Sequence, residues 1–146
     1  MIVRGAATVV LAAFLAVIAD SGVVQSQPAA SQKSQEIYQS VYNGWKWWHV
    51  YCYRCHGTNA IGSTLAPNLL DPYEKFPLPE FLQVVQNGSA NGQMQAWNKL
   101  LDEKQIRQLF VYVRARADKV LKPGRPDEVG PKGGPWVPPA GWSPQQ

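Results

Sequence analysis

The sequence predicts a small all-α domain with long irregular loops and a C-terminal tail rich in proline and glycine. Three stretches place apolar residues at helical spacing, and no stretch alternates polar and apolar residues as a strand does. The length of 146 residues fits one domain, and residues 123–146 hold 7 of the 12 prolines and 5 of the 12 glycines. We therefore expect a helical domain within residues 27–122, followed by an extension without a long helix.

Residues 1–26 have the pattern of an export signal. Arg4 supplies a positive charge, and residues 6–19 form an uncharged stretch of 14 residues. Small residues then allow cleavage after Ala19 or after Ser26. A membrane span needs about 20 apolar residues, and Asp20 interrupts this stretch too early. We expect cleavage rather than retention as an anchor, which predicts a periplasmic protein with no stable membrane insertion.

The first helix is predicted to begin at Ser34, after a loose polar lead-in over residues 27–33. One face of it carries a stripe at spacings of three and four residues, namely Ile37, Val41, Gly44, Trp48 and Cys52. A glycine within a helix costs about 1 kcal/mol relative to alanine. Gly44 on a buried stripe therefore predicts that another backbone passes close to it, and the alternative is a glycine that is merely tolerated.

Prolines and glycines without any period predict an extended loop over residues 57–79. A loop of this length in a compact domain needs something other than secondary structure to hold it. A short helix follows, with Pro79 near its start and Asn87 and Gly88 at its end. Residues 91–97 then form another loop.

The last helix is predicted to begin at Asp102, which with Gln105 forms a capping box. Its apolar stripe extends to Leu121, and Pro123 and Gly124 end it. Four cations lie near its C-terminal end, where they complement the helix dipole. These are Arg114, Arg116, Lys119 and Lys122.

Composition excludes several classes of function. With 45% hydrophobic and 16% charged residues the chain is neither disordered nor membrane-embedded throughout, and two cysteines cannot form a disulfide-rich scaffold. The net charge of +4 favours an acidic partner, but the basic residues are too scattered to predict nucleic-acid binding. No Ser, His and Asp arrangement, phosphate-binding glycine loop or pair of acids predicts hydrolytic or transfer chemistry.

The most informative motif is the segment CYRCH, in which Cys52, Cys55 and His56 form the pattern CxxCH. This is the attachment pattern of haem c, because two thiols three residues apart can each bond a haem vinyl group while the adjacent imidazole binds the iron. A thiol-disulfide exchanger is one alternative, although the expected βαβ pattern is lacking. A zinc site is another, but His49 is the only obvious fourth ligand.

Met94 is the candidate ligand for the opposite face of the iron. It is the only methionine left after signal removal, and it lies in a glycine-containing loop rather than on a helical stripe. His49 is the rival, but it precedes His56 by seven residues on the same helical approach. His and Met ligation raises the iron potential and leaves no open position, so we expect electron transfer. A haem enzyme or a gas-binding protein with a labile sixth ligand is the alternative.

These residues resemble class I cytochromes c over about residues 34–122. The resemblance implies that Gly44 and Trp48 pack across the last helix near residues 109–113. It also implies that the carbonyl of Pro67 accepts a hydrogen bond from the imidazole of His56 and so orients the ring. One departure is Gln95, because the family often has proline directly after the methionine ligand; this predicts a less rigid loop.

The segment YNGW at residues 42–45, the residues before APNL and the tail look like the periplasmic cytochromes that accept electrons from PQQ-dependent methanol and other alcohol dehydrogenases. This narrower resemblance implies a monomeric carrier of one electron, with such a quinoprotein as donor and another cytochrome or a terminal oxidase as acceptor. A fixed haem subunit of a dehydrogenase complex is the alternative to a mobile carrier.

Two expectations concern the surface. We expect an exposed haem edge near Tyr53, Arg54 and Lys46, where basic residues would steer an acidic partner, unless they only solvate a helix face. In the tail, Trp136 and Trp142 favour packing on the domain or docking to a partner over a loose, disordered segment.

Overall fold

The computed structural model describes residues 29–71 and 77–144, and within these ranges it contains helices and loops but no strand. This confirms the all-α class. None of the helices in the described ranges is long and apolar enough to cross a membrane. The proposed signal over residues 1–26 lies outside the described residues. The helices are α1 (Ala29–Trp47), a π-helical turn (Trp48–Cys52), α2 (Tyr53–His56), α3 (Leu78–Asn87), α4 (Glu103–Ala117) and a short 3-10 turn (Pro131–Gly133).

Helix α1 begins at Ala29, five residues before the predicted start. The expectation of a loose lead-in is therefore wrong for residues 29–33. This first turn is exposed, so no apolar stripe marks it, and alanine, glutamine and lysine favour a helix without any packing. The Ser34 hydroxyl donates to the Ala30 carbonyl at 3.0 Å within the same helix.

The core lies where α1 crosses α4. Val41, Gly44 and Trp48 are buried on the predicted stripe, and the rings of Trp48 and Tyr112 lie 5.8 Å apart. A Cβ on Gly44 would collide with the backbone carbonyl of Gln108 and lie 2.8 Å from the Cβ of Tyr112. The predicted close passage of another backbone is thus confirmed, and the backbone that passes Gly44 belongs to α4.

A π-helical turn joins α1 to α2, where the sequence predicted an unbroken stripe. The backbone N–H of Tyr53 donates to the carbonyl of Trp48, five residues back instead of four. This wider turn leaves Trp48 buried at 2% exposure, while Cys52 is only partly buried. Single π-turns inside helices occur often at functional sites. Here the π-turn leads directly into the CxxCH segment.

Helix α3 agrees with the prediction. Pro79 lies in its first turn, and it ends at Asn87 with Gly88 as the following residue. Its buried side chain is Val85, and Phe81 meets Phe110 of α4 edge to face at a ring distance of 5.4 Å. The helix therefore packs on α4.

Helix α4 begins as predicted and ends early. The Asp102 side chain accepts from the N–H of Gln105, and the Gln105 side chain accepts from the N–H of Asp102, which completes the capping box. The helix ends at Ala117, four residues before Leu121, the last residue of the predicted stripe, because Lys119 adopts a positive φ of 59°. The N–H groups of the next two residues then turn back to the carbonyl of Ala115.

The chain beyond α4 still contributes to the core, although it is no longer helical. Leu121 is buried, and its carbonyl accepts a hydrogen bond from the guanidinium of Arg116, a side chain that is itself buried. Arg114 forms an ion pair with Asp118 at 3.0 Å. Two of the four predicted terminal cations thus have structural roles, while Lys119 and Lys122 are exposed.

The C-terminal tail folds back onto the domain. Trp136 is 5% exposed, and its indole N–H donates to the carbonyl of Val120 at 2.9 Å. Trp142 packs edge-on against Trp136 at 5.8 Å and donates to the carboxylate of Asp118 at 3.1 Å. The guanidinium of Arg125 lies 5.6 Å from the ring of Trp45 on α1. The structure therefore places both tryptophans of the tail on the domain.

Candidate functional site

The CxxCH segment is presented by the end of the first helical run. Cys52 closes the π-turn, and Cys55 and His56 lie on the single turn α2, which Gly57 ends at a φ of 76°. The Trp48 indole N–H donates to the Gly57 carbonyl at 3.0 Å. Trp48, a buried residue of the core stripe, therefore fixes the backbone directly after the predicted ligand His56.

The loop after the motif folds back over it. The N–H of Gly62 donates to the carbonyl of His56 at 2.9 Å, and the hydroxyl of Ser63 donates to the carbonyl of Cys55. The Nδ1 of His56 lies 3.2 Å from the carbonyl oxygen of Pro67, which is the contact that the resemblance implies. A carbonyl only accepts, so Nδ1 carries the proton in this contact, and Nε2 remains free to bind a metal.

Both predicted axial ligands line one cavity of about 660 Å³. Cys52, Cys55 and His56 form part of its wall together with Pro67, and the loop of Met94 supplies another part. This volume lies within the range of about 300–1,000 Å³ that is usual for cofactor sites. The structure therefore brings all five predicted site residues to the same cavity.

A smaller cavity of about 60 Å³ extends behind the first. Cys52, His56 and Met94 line it too, and the other lining residues are apolar. These are Trp48, Leu69, Phe81, Val84, Val85 and Leu109. A mostly apolar wall that also includes an imidazole and a thioether suits a haem, because the macrocycle is largely apolar and its iron takes nitrogen and sulfur ligands. The residues present thus fit a haem.

The Cys52 thiol is unsuited to disulfide exchange. In the haem-free chain, burial raises the pKa of this thiol to about 12, and the nearby Cys55 adds to the rise. Thiol exchangers work through a thiolate, so their attacking cysteine has a lowered pKa. The environment of Cys52 therefore disfavours the thiol-redox alternative.

His49 lies away from the cavity lining. Its Nδ1 is 2.8 Å from the carbonyl oxygen of Trp45, and its ring packs between those of Trp45 and Tyr53 at 4.5 and 6.1 Å. His49 therefore has a packing role in the π-helical turn, between two aromatic rings. Of the residues expected at the exposed edge, Arg54 lines the cavity, whereas Lys46 lies 5.2 Å above the ring of Tyr42.

Sequence reasoning missed several residues around Met94. The side chains of Ser89, Asn91 and Gln93 line the cavity and hydrogen-bond to one another within the loop. Trp97 forms part of the same wall and packs against Tyr51 at a ring distance of 5.5 Å. The sequence signal that could have identified them is a polar residue at every second position ahead of Met94, because such side chains often bond to nearby backbone.

The family model described as cytochrome C oxidase, cbb3-type, subunit III matches residues 39–113, slightly more than half of the chain. The chain belongs to this cytochrome c family. Given its single CxxCH motif, it is a monohaem c-type cytochrome, a class that binds its haem c covalently. No curated protein matches the cytochrome in sequence.

Solved structures are similar to the cytochrome. The c-type cytochrome XoxG from Methylobacterium extorquens AM1 is 31% identical with a TM-score of 0.54, over 64% of this chain and 60% of XoxG. Cytochrome CL from the marine methylotrophic bacterium Methylophaga aminisulfidivorans MPT is 19% identical with a TM-score of 0.47, over 68% and 77% of the two chains. Cytochrome cL from Hyphomicrobium denitrificans is 24% identical with a TM-score of 0.48, over 60% and 58%. The cytochrome thus spans less than two thirds of the XoxG chain.

Proposed function

We propose that this cytochrome carries single electrons in the periplasm, from a quinoprotein alcohol dehydrogenase to another cytochrome or a terminal oxidase. Cys52 and Cys55 hold the haem through thioether bonds, and His56 and Met94 bind the iron, with Pro67 orienting the imidazole. The observation that carries the proposal is that His56 and Met94 line the same large cavity. Two protein ligands leave no open position on the iron, which favours electron transfer over catalysis.

The proposed periplasmic location rests on the export signal predicted for residues 1–26. Residues 1–26 act as a cleaved signal, residues 27–122 form the haem domain and residues 123–146 form its extension. The dehydrogenase as donor is supported by the segment YNGW at residues 42–45, the residues before APNL and the tail, which resemble those of periplasmic cytochromes that accept electrons from quinoprotein alcohol dehydrogenases.

Substitution of Met94 tests the ligand assignment. Met94→Ala is expected to leave the haem attached but to lower the reduction potential, because loss of the thioether removes the ligand that favours the ferrous iron. The measurements are a redox titration and the visible spectrum of the ferric protein. A potential and spectrum equal to those of the wild type would show that Met94 is not a ligand. The alternative of a haem enzyme or gas-binding protein would then gain support.

Electron exchange is proposed to occur at the mouth of the large cavity. Arg54 and Leu65 line this mouth, and Leu65 is 70% exposed. The remaining exposed lining residues are small, apolar or uncharged polar, so among the described residues Arg54 is the one charged group of the lining. Contacts of electron-transfer proteins are small and transient, and a cation at the rim mainly raises the association rate.

The donor is tested by following haem reduction with purified quinoprotein alcohol dehydrogenases at increasing ionic strength. The rate is expected to fall with salt, and Arg54→Gln is expected to slow association by roughly two- to fivefold at low salt. Lys132→Gln is the matched control, since this exposed cation lies in the tail. No reduction by any such dehydrogenase would refute the proposed donor, and equal rates in both variants would refute steering by Arg54.

The description of the matching family favours a second candidate, a fixed haem subunit of a larger complex. The two candidates differ in how the protein is found in the cell. Purification of the full chain under mild conditions would yield a monomer if it is a mobile carrier. Stoichiometric recovery of dehydrogenase or oxidase subunits would support the fixed subunit instead.

A further inference from the structure

The loop that carries Met94 lacks the proline expected after the methionine, but it has a different means of support. Ser89 contacts both backbone groups of Met94. The N–H of Ser89 donates to the Met94 carbonyl at 3.0 Å, and the Met94 N–H donates to the Ser89 hydroxyl oxygen at 2.9 Å. One residue thus fixes the backbone of Met94 on both sides of its Cα, through the N–H and through the carbonyl.

The hydroxyl proton of Ser89 is oriented by Asn91. The Ser89 hydroxyl donates its proton to the side-chain oxygen of Asn91 at 2.7 Å, which leaves its lone pairs to accept from the N–H of Met94. The same Asn91 oxygen accepts from the backbone N–H of Gln93, and the Asn91 amide donates to the Gln93 side chain at 2.8 Å. A serine hydroxyl has one donor and two acceptor positions, so this geometry uses both functions at once.

Both ends of the loop are attached to α3. Gly88, at a φ of 82°, lets the chain turn sharply, and a Cβ there would lie 2.5 Å from the carbonyl oxygen of Met94. Beyond Met94, the N–H of Trp97 donates to the carbonyl of Val85 at 3.0 Å. The two ends of the loop are thus held against the end of α3. The Ser89 hydroxyl then ties the backbone of Met94 to the first residues of the loop.

From this geometry we propose that Ser89 is a positioning residue that holds Met94 on the iron, with Asn91 orienting its hydroxyl. This inference depends on the proposed ligation by Met94. A thioether is a neutral ligand on a flexible side chain, so its occupancy of the iron depends on how well the loop is held. Ser89 therefore sets the fraction of molecules in which Met94 is displaced and an external ligand can bind.

The experiment measures the affinity of the ferric holoprotein for added imidazole, which binds only where Met94 has left. The apparent affinity scales with the fraction of open molecules. Loss of one hydrogen bond of ordinary strength predicts an affinity about tenfold higher in Ser89→Ala, together with a lower reduction potential. Ser89→Thr keeps the hydroxyl and is expected to restore both values.

Ser34→Ala is the matched control, because it removes a serine hydroxyl bond on the exposed start of α1. Met94→Ala separates the two proposals. If Met94→Ala raises imidazole affinity but Ser89→Ala behaves like Ser34→Ala, the positioning role is wrong and the ligation stands. If Met94→Ala itself leaves the affinity unchanged, Met94 is not the ligand and the ligation fails.

Discussion

Replacing Gly44 by alanine is expected to lower the free energy of unfolding by about 3 kcal/mol or more. Alanine would ordinarily stabilise the interior of a helix by about 1 kcal/mol relative to glycine. At this position the added Cβ meets the carbonyl of Gln108, a backbone atom of α4 that cannot rotate away. The two helices would have to move apart and expose Trp48 and Tyr112. Urea unfolding of the holoprotein and the yield of attached haem measure the effect.

Gly133→Ala serves as the comparison for Gly44→Ala. Apart from its chain neighbours, no atom lies within 4 Å of a Cβ built on Gly133, but its φ is 76°, so the cost is that of a positive φ alone, about 1–2 kcal/mol. Gly44→Ala should be clearly the more destabilising of the two. A Gly44→Ala variant more stable than the wild type would contradict the close crossing of α1 and α4.

Replacing Trp136 by alanine is expected to destabilise the protein by about 3–5 kcal/mol. Its indole ring is buried, it donates to the carbonyl of Val120, and its backbone N–H donates to the carbonyl of Pro126 at 2.6 Å. The rate of electron transfer from the dehydrogenase should stay unchanged, because no residue of the described tail lines the large cavity.

Val137→Ala is the control for Trp136, since Val137 is the adjacent residue and is 63% exposed. Its substitution should change stability by less than about 0.5 kcal/mol. The same assays applied to a chain lacking residues 123–146 test the tail as a whole. Lower stability with an unchanged rate indicates a packing role, whereas a slower rate at full folding would assign the tail a part in docking.

Helix boundaries were predictable where local chemistry sets them. The capping box of Asp102 and Gln105 starts α4 because side chains three residues apart can satisfy free N–H groups without help from the rest of the fold. The end of α4 was not predictable. Val120 and Leu121 continue the apolar period of α4. Leu121 is indeed buried, but its backbone is not helical, because the chain turns out of the helix at Lys119. The spacing of apolar residues therefore indicates which side chains are buried, but not whether the backbone that carries them is helical.

The residues of the candidate site were likewise predictable only where local spacing defines them. Cys52, Cys55 and His56 could be recognised because their chemistry demands a fixed local spacing. The missing proline after Met94 suggested a less rigid loop, yet the Ser89 hydroxyl accepts a hydrogen bond from the N–H of Met94. This contact spans five residues and depends on the closed conformation of the loop, so it could be found only in the folded chain, whereas the bonds of Asn91 span two residues and follow a local pattern.

The sequence by itself determined the helical class, the attachment motif and the close approach at Gly44, since each follows from spacing along one chain segment. The tertiary structure alone decided three things: the π-turn at Trp48–Cys52, the common cavity of His56 and Met94, and the packing of Trp136 on the domain. The cavity and the packing of Trp136 depend on contacts between segments far apart in the chain. Hydrophobic burial is non-directional, so a sequence can indicate which side chains are buried but not which partners they meet.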